Sequence, residues 1–309
     1  MEKRPVERGF SGASASPRPW VYPKPELEGF LLSRECEGCS PATLATYRHR
    51  ISQFLRYVHQ YKPGLDLPGI RRAHIEHYLL ELRNRDCSPD YIKSTFIGIR
   101  TFFKWCVEER FIDVSPAQNI KAPRVPKKSK PFITEVQRDR LLALCPPNRY
   151  LGARNAAIIW LFWTTGMRLS EVAGLKLADL DWERSRIRVF GKGARERWVP
   201  FLPEAKKSVW RYIAYRDDKL PQLWLSEERR PMTRDGIDSM TQRLVIRAGL
   251  HGEIKDLHHT FRRAWAARQI RAGVPTKYVQ MVGGWESLSV LERYVRAMDI
   301  DDALGANWV

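Results

Sequence analysis

The 309 residues include only five cysteines, an odd and sparse set that excludes a disulfide framework as the source of stability. Cys36 and Cys39 form a CxxC, but Cys87, Cys106 and Cys145 supply neither a second pair nor ligand spacing, so no metal site is expected. No apolar run reaches the roughly 18 residues that a membrane span needs. No apolar leader core opens the chain either, so a cytoplasmic protein without membrane attachment is expected. The sequence also lacks a Walker-type phosphate loop, an HExxH, a Gly-x-Ser-x-Gly elbow and an acidic cluster suited to two metal ions. Acids are in short supply: 35 Asp+Glu stand against 53 Lys+Arg, a net charge of +18. That surplus exceeds what solubility requires and implies a polyanionic partner, with nucleic acid the first candidate and an anionic membrane surface the second.

What is present is enough for real cores, with 43% of residues hydrophobic. Residues 1–23 are rich in Ser, Pro, Gly and Arg without periodicity, the composition of a disordered basic tail. From Pro25 a short helix closes at Gly38, and Ser40-Pro41 forms an N-cap and first-turn pair for a longer one. Leu44, Tyr47, Ile51, Phe54, Leu55 and Val58 then recur at helical spacing, while Arg48 and Arg56 lie off that stripe, available to phosphate or solvent. A third helix over 72–85 and a fourth after Ser88-Pro89 complete an all-helical unit over 24–113. Residues 114–133 contain four prolines and a run of basic side chains including Lys127, Lys128 and Lys130, which reads as an extended connector. It is either solvated surface or a phosphate contact.

The remainder, 134–309, reads as a mixed α+β domain with a C-terminal tail. Thr134 caps a helix, and an apolar run ends at Thr-Thr-Gly166-Met-Arg168-Leu-Ser-Glu171. Gly166 permits a turn, Arg168 emerges at a helix start, where anions are favoured, and Glu171 lies one turn on to orient it. Two β-rich runs flank Gly191-Lys192-Gly193-Ala194 and read as a hairpin. Amphipathic helices follow over 233–248, from Leu257 to a break at Gly273, and from Pro275 to Gly283-Gly284. Trp285 stands at the turn, and a last helix from Leu288 carries Tyr294. The fold class expected is mainly α with a small β-sheet.

Several of these boxes resemble the tyrosine recombinase (phage integrase) family. The Arg168 box matches Thr-Gly-x-Arg-x-Ser-Glu; Lys255, His258 and His259-Thr-Phe261 match His/Lys-x-x-Arg-His-Thr-Phe with His258 in place of the arginine; Gly284-Trp285 and Tyr294 match Leu-Gly-His/Trp and the tyrosine nine residues later. Ser40 to Tyr47 also follows that family's helical DNA-binding domain. The resemblance implies a site-specific recombinase or integrase, from a transposon or other mobile element, that cuts and rejoins duplex DNA through a 3′-phosphotyrosyl bond at Tyr294. It needs no cofactor. Arg168 and residue 258 would hold the phosphate oxygens, Lys255 and Trp285 would donate hydrogen bonds, Lys192 would be the general acid, and Glu171 and His259 would support them. His258 is a weaker anion ligand than arginine. Arg262, one turn later, either reaches back to compensate or, with Arg263, faces DNA or solvent. The partners implied are double-stranded DNA and three further copies in a homo-tetramer, with or without a second recombinase, the tail after Tyr294 docking on a neighbouring copy or folding back on its own domain. Two alternatives share the DNA partner: a relative with impaired catalysis serving as an accessory or regulatory subunit, and a nuclease or type IB topoisomerase.

Overall fold

The computed structural model describes residues 24–126, 132–191, 196–254 and 256–295, and at Lys24, Val290 and 293–295 the backbone alone. The tail 1–23, Lys127, Lys128, Lys130, Lys192, Lys255 and residues 296–309 lie outside the described residues. The chain divides into two compact units, Met1–Lys127 and Lys128–Val309.

The first unit contains α1 (Lys24–Cys36), α2 (Pro41–Tyr61), α3 (Arg72–Asn84) and α4 (Pro89–Glu108). α2 and α4 begin alike. Ser40 accepts a hydrogen bond from the Thr43 N–H and Ser88 from that of Tyr91, and a proline occupies the first turn, where a missing N–H costs nothing. The apolar stripe of α2 (Ile51, Phe54, Leu55, Val58) meets Phe96, Ile99, Phe102 and Phe103 of α4 in one core. Each fully buried Phe contributes about 1.5–3 kcal/mol by leaving water. Ala117 and Ile120 belong to that core as well, so the start of 114–133 is not the extended connector its prolines suggest. A small and a branched apolar side chain among those prolines dock the segment onto the helices.

The second unit is built on α6 (Tyr150–Thr165), which follows α5 (Glu135–Ala143) and is buried along almost its whole length. Helix α6 ends at Gly166 for two reasons. Its φ is +61°, and a Cβ there would lie 2.5 Å from the Trp265 ring. Next come α7 (Leu169–Ala173) and a three-stranded antiparallel sheet, β1 (Leu180–Asp181), β2 (Arg186–Phe190) and β3 (Glu196–Pro200), in spatial order β1-β2-β3. Arg188 pairs with Trp198 and Ile187 with Val199, so alternation sends Ile187, Val189, Arg197 and Val199 inward and Arg186, Arg188 and Trp198 outward. Helices α8 (Pro203–Ile213) and α9 (Arg234–Arg247) complete the main core, and α10 (Leu257–Arg271), α11 (Thr276–Gly283) and α12 (Leu288–Val295) follow. The two-residue β1 has no sequence signature of its own. Among the described residues no helix is long and apolar enough to cross a membrane, and no group of three or more His, Cys, Asp or Glu could hold a metal ion.

Candidate active site

The site is built around the C-terminus of α11. A helix leaves its last carbonyls without intrahelical partners and carries partial negative charge there. Gly284, with φ +67°, closes α11 by donating to Met281 O while Trp285 N–H reaches back to Gln280 O, a Schellman arrangement. Three successive carbonyls at this end each accept from a different arginine. Arg197 Nε donates to Val282 O at 2.8 Å, Arg262 Nη2 to Gly283 O at 2.6 Å and Arg168 Nη2 to Gly284 O at 2.7 Å.

Those arginines come from β3, α10 and the start of α7, and one carboxylate links two of them. Glu171 accepts from the Arg168 backbone N–H (2.7 Å) and from Arg168 Nη1 (2.8 Å). Arg197 forks onto both its oxygens at 2.9 and 2.8 Å. Burial pushes the Glu171 carboxyl up, but Arg197 and then Arg168 outweigh that and hold it below the usual carboxylate range. Arg168 is the N-cap residue of α7, and its side chain remains 39% exposed against 2% for Glu171. A solvent-reaching guanidinium held by a buried carboxylate at a helix start is a preorganised anion ligand.

Arg262 is deeply buried. Its Nη1 donates to Gly166 O at 2.6 Å, and its guanidinium lies 4.1 Å from the centroid of the Trp285 ring. Trp285 in turn stacks on Trp265, centroids 6.0 Å apart. Arg262 thus joins the Gly166 turn, where Arg168 starts, to the turn that leads into α12.

His258 does not belong to this cluster. Its ring packs 4.7 Å from Phe162, and Nε2 lies 3.0 Å from Asp238 Oδ1 and 3.1 Å from Thr241 Oγ1, both on α9. Burial holds this imidazole below its ordinary pKa, against the upward pull of Asp238. The expectation that residue 258 joins Arg168 and Trp285 is therefore corrected: Arg262 stands beside them instead. The physical reason is helical periodicity, since positions 258 and 262 are one turn apart and the box fits the sequence again four residues later. In that register His259-x-x-Arg262 supplies the His-x-x-Arg, Arg263 stands at the histidine and Trp265 at the phenylalanine. His259 is exposed on the first turn of α10. Neither Arg262 nor Arg263 faces solvent: both are buried, and Arg263 donates to Thr260 Oγ1.

Arg168, Glu171, Arg262 and Trp285 are thus brought together, and α12 delivers the backbone of Tyr294. Lys192 and Lys255 lie outside the described residues, as does the Tyr294 side chain. Arg197 was missed from sequence, although its alternation with Val199 marks an inward-facing strand arginine in need of a partner. In the first unit Arg48 forks onto Glu28 of α1, with one of its hydrogen bonds at 2.8 Å, so its charge is shared rather than left open. Arg56 is exposed on α2.

Comparison with known proteins adds the family. Residues 131–299 match the Phage integrase family and residues 27–113 the Phage integrase, N-terminal SAM-like domain. Tyrosine recombinase XerD of Oceanobacillus iheyensis is 28% identical over 272 residues, 86% of this chain and 91% of that one. Tyrosine recombinase XerC of Chlamydia caviae is 30% identical over 222 residues, 70% of each. In structure, the Tn1549 transposon integrase in complex with circular intermediate DNA is similar with a TM-score of 0.69 and 20% identity, covering 90% of this chain and 97% of that one. A lambda integrase dimer bound to a core site reaches a TM-score of 0.71 at 15% identity, covering 94% and 79%. With both domain types matched in order, this chain belongs to the phage integrase family of tyrosine recombinases.

Proposed function

We propose that this chain is a site-specific DNA strand transferase acting through Tyr294. The tyrosine oxygen attacks a scissile phosphodiester, a Tyr–O–P bond forms at the 3′ phosphate, the P–O5′ bond breaks, and a proton passes to the departing 5′ oxygen. A 5′ hydroxyl from another strand then reverses the step. The phosphate remains a diester throughout, so no cofactor is called on to supply energy. Arg168 and Arg262 supply the cationic side chains that meet the charge of the pentavalent state.

The observation that carries this reading is the convergence of Arg168 and Arg262 on consecutive carbonyls of the turn that leads into α12. Arg168 and Arg262 are the two phosphate arginines, His259 and Trp285 donate hydrogen bonds, Glu171 positions Arg168, and Lys192 is the general acid. Lys255 and His258 drop out of these roles. An accessory subunit with impaired catalysis was suggested by a histidine in the phosphate site; Arg262 meets that requirement with a permanent charge and a planar fork, which favours the active enzyme.

The DNA partner follows from the family and from a net charge of +18. A tetramer, a mobile-element context and a second recombinase working alongside are finer parts of the proposal. The mobile-element context is supported by the likeness in fold to the Tn1549 transposon integrase and the tetramer by the likeness to a lambda integrase tetramer bound to a Holliday junction. The test is strand exchange between two duplexes carrying a site selected by the protein from a random pool, in EDTA and without nucleotide. Recombinant joints with the wild type and none with Tyr294→Phe are expected. Tight binding without cleavage by the wild type would favour the accessory reading.

A further inference from the structure

Arg197 does not touch the atoms assigned to chemistry above, yet it bonds to two of the parts that hold them. It forks onto Glu171, which orients Arg168, and donates to Val282 O beside the carbonyls taken by Arg262 and Arg168. It is well covered, with 14% of its side chain exposed against 2% for Glu171. Its guanidinium also lies 2.9 to 3.0 Å from where a Cβ at Gly284 would stand, so the turn is shaped around it. Arg197 sits on β3, the strand that follows Lys192 in sequence. One side chain therefore connects β3, the Arg168 box and the turn before α12.

We propose that Arg197 is a positioning residue for strand cleavage: by occupying both Glu171 oxygens it leaves the Arg168 guanidinium a single hydrogen bond to that carboxylate, beside the one from the Arg168 backbone N–H, and keeps that guanidinium directed to the scissile phosphate. The inference rests on the strand-transfer reading. The charge arithmetic explains the design. A buried carboxylate with one arginine partner draws that arginine into a full fork, whereas a second arginine satisfies the carboxylate and leaves the first with donors to spare. Removing Arg197 would let Arg168 collapse onto Glu171 and release the Val282 carbonyl, loosening the turn as well. A displacement of about 1 Å in a catalytic group can cost on the order of 10²-fold in rate.

The experiment compares wild type, Arg197→Met and Arg197→Lys in single-turnover cleavage of a nicked duplex carrying the selected site, below the unfolding temperature of each. The cleavage rate of Arg197→Met should fall about 10- to 100-fold, with DNA affinity within about twofold. Arg197→Lys, which keeps the charge and one hydrogen bond, should fall in between. The decisive arm replaces one non-bridging oxygen of the scissile phosphate by a neutral methyl group. If Arg197 acts through Arg168, its loss should cost much less on the stereoisomer that lacks the oxygen Arg168 serves. A wild-type rate for Arg197→Met, or the same penalty on phosphate and on both methylphosphonate isomers, overturns the proposal. Arg168→Ala and Tyr294→Phe separate the levels. If they abolish cleavage while Arg197→Met does not, only this inference fails; if they too leave cleavage intact, the strand-transfer reading fails and takes this one with it.

Discussion

Arg262→Ala is the substitution with the largest consequence that the structure allows to be worked through. It removes a guanidinium that donates to Gly166 O and Gly283 O, each at 2.6 Å, and that lies over the Trp285 ring. Hydrogen bonds to a charged group contribute about 1.5–3 kcal/mol each, and a desolvated cation–π interaction about 2. Against these stands the relief of no longer burying a charge, so we expect a net loss of about 2–4 kcal/mol in stability, within the range of disrupted buried networks. The kinetic loss is separate. A missing transition-state donor costs about 10²- to 10³-fold in cleavage, roughly 2.7–4 kcal/mol. The assay is single-turnover adduct formation at a temperature where thermal unfolding shows the variant to be folded. Arg262→Lys, which keeps charge but not the fork, should recover stability better than rate. His258→Arg should gain nothing, because its side chain points into the pocket of Phe162, Asp238 and Thr241. Normal cleavage by folded Arg262→Ala, or faster cleavage by His258→Arg, would refute the register of the α10 box argued above.

Buried His258 has its pKa lowered in the folded state, so the unfolded chain binds the proton first and stability should fall as pH drops below about 6.5; urea titrations at pH 7.5 and 5.5 should show a smaller difference for His258→Gln than for wild type. Gly166→Ala forces a side chain into φ +61° and against Trp265, and should lower stability by more than about 1 kcal/mol in chemical denaturation. Replacing Lys127, Lys128 and Lys130 with Gln should weaken binding to all duplexes alike and reduce the slope of log K against log salt by about 0.9 for each phosphate no longer neutralised; an unchanged slope would make this run ordinary solvated surface.

Much of the architecture was legible because it is local. The Ser40-Pro41 and Ser88-Pro89 pairs specify helix starts through their own side chains, and both caps are made. The hairpin runs and the Gly283-Gly284 stop are likewise written in consecutive residues. What was not legible depends on partners distant in sequence. Arg48 lies off the apolar stripe of α2 and reads as open to phosphate, but Glu28 lies twenty residues away on α1. Arg197 looks like one more cation in a basic hairpin until Glu171 and Val282 are folded against it. Positions 258 and 262 are hard to tell apart in sequence because a helix repeats its face every three to four residues; only the third dimension shows that residue 258 faces α9 and residue 262 faces the turn before Trp285.

The most direct test of the central claim is to map the covalent adduct. The wild-type protein is incubated with a suicide duplex nicked near the scissile phosphate of its selected site, digested with protease and nuclease, and the nucleotide-bearing peptide is sequenced by mass spectrometry. A 3′-phosphotyrosyl linkage at Tyr294 is expected, absent in Tyr294→Phe although that variant still binds the duplex. A nucleotide found on Tyr278, an exposed residue of α11, or on any residue other than Tyr294, would contradict it.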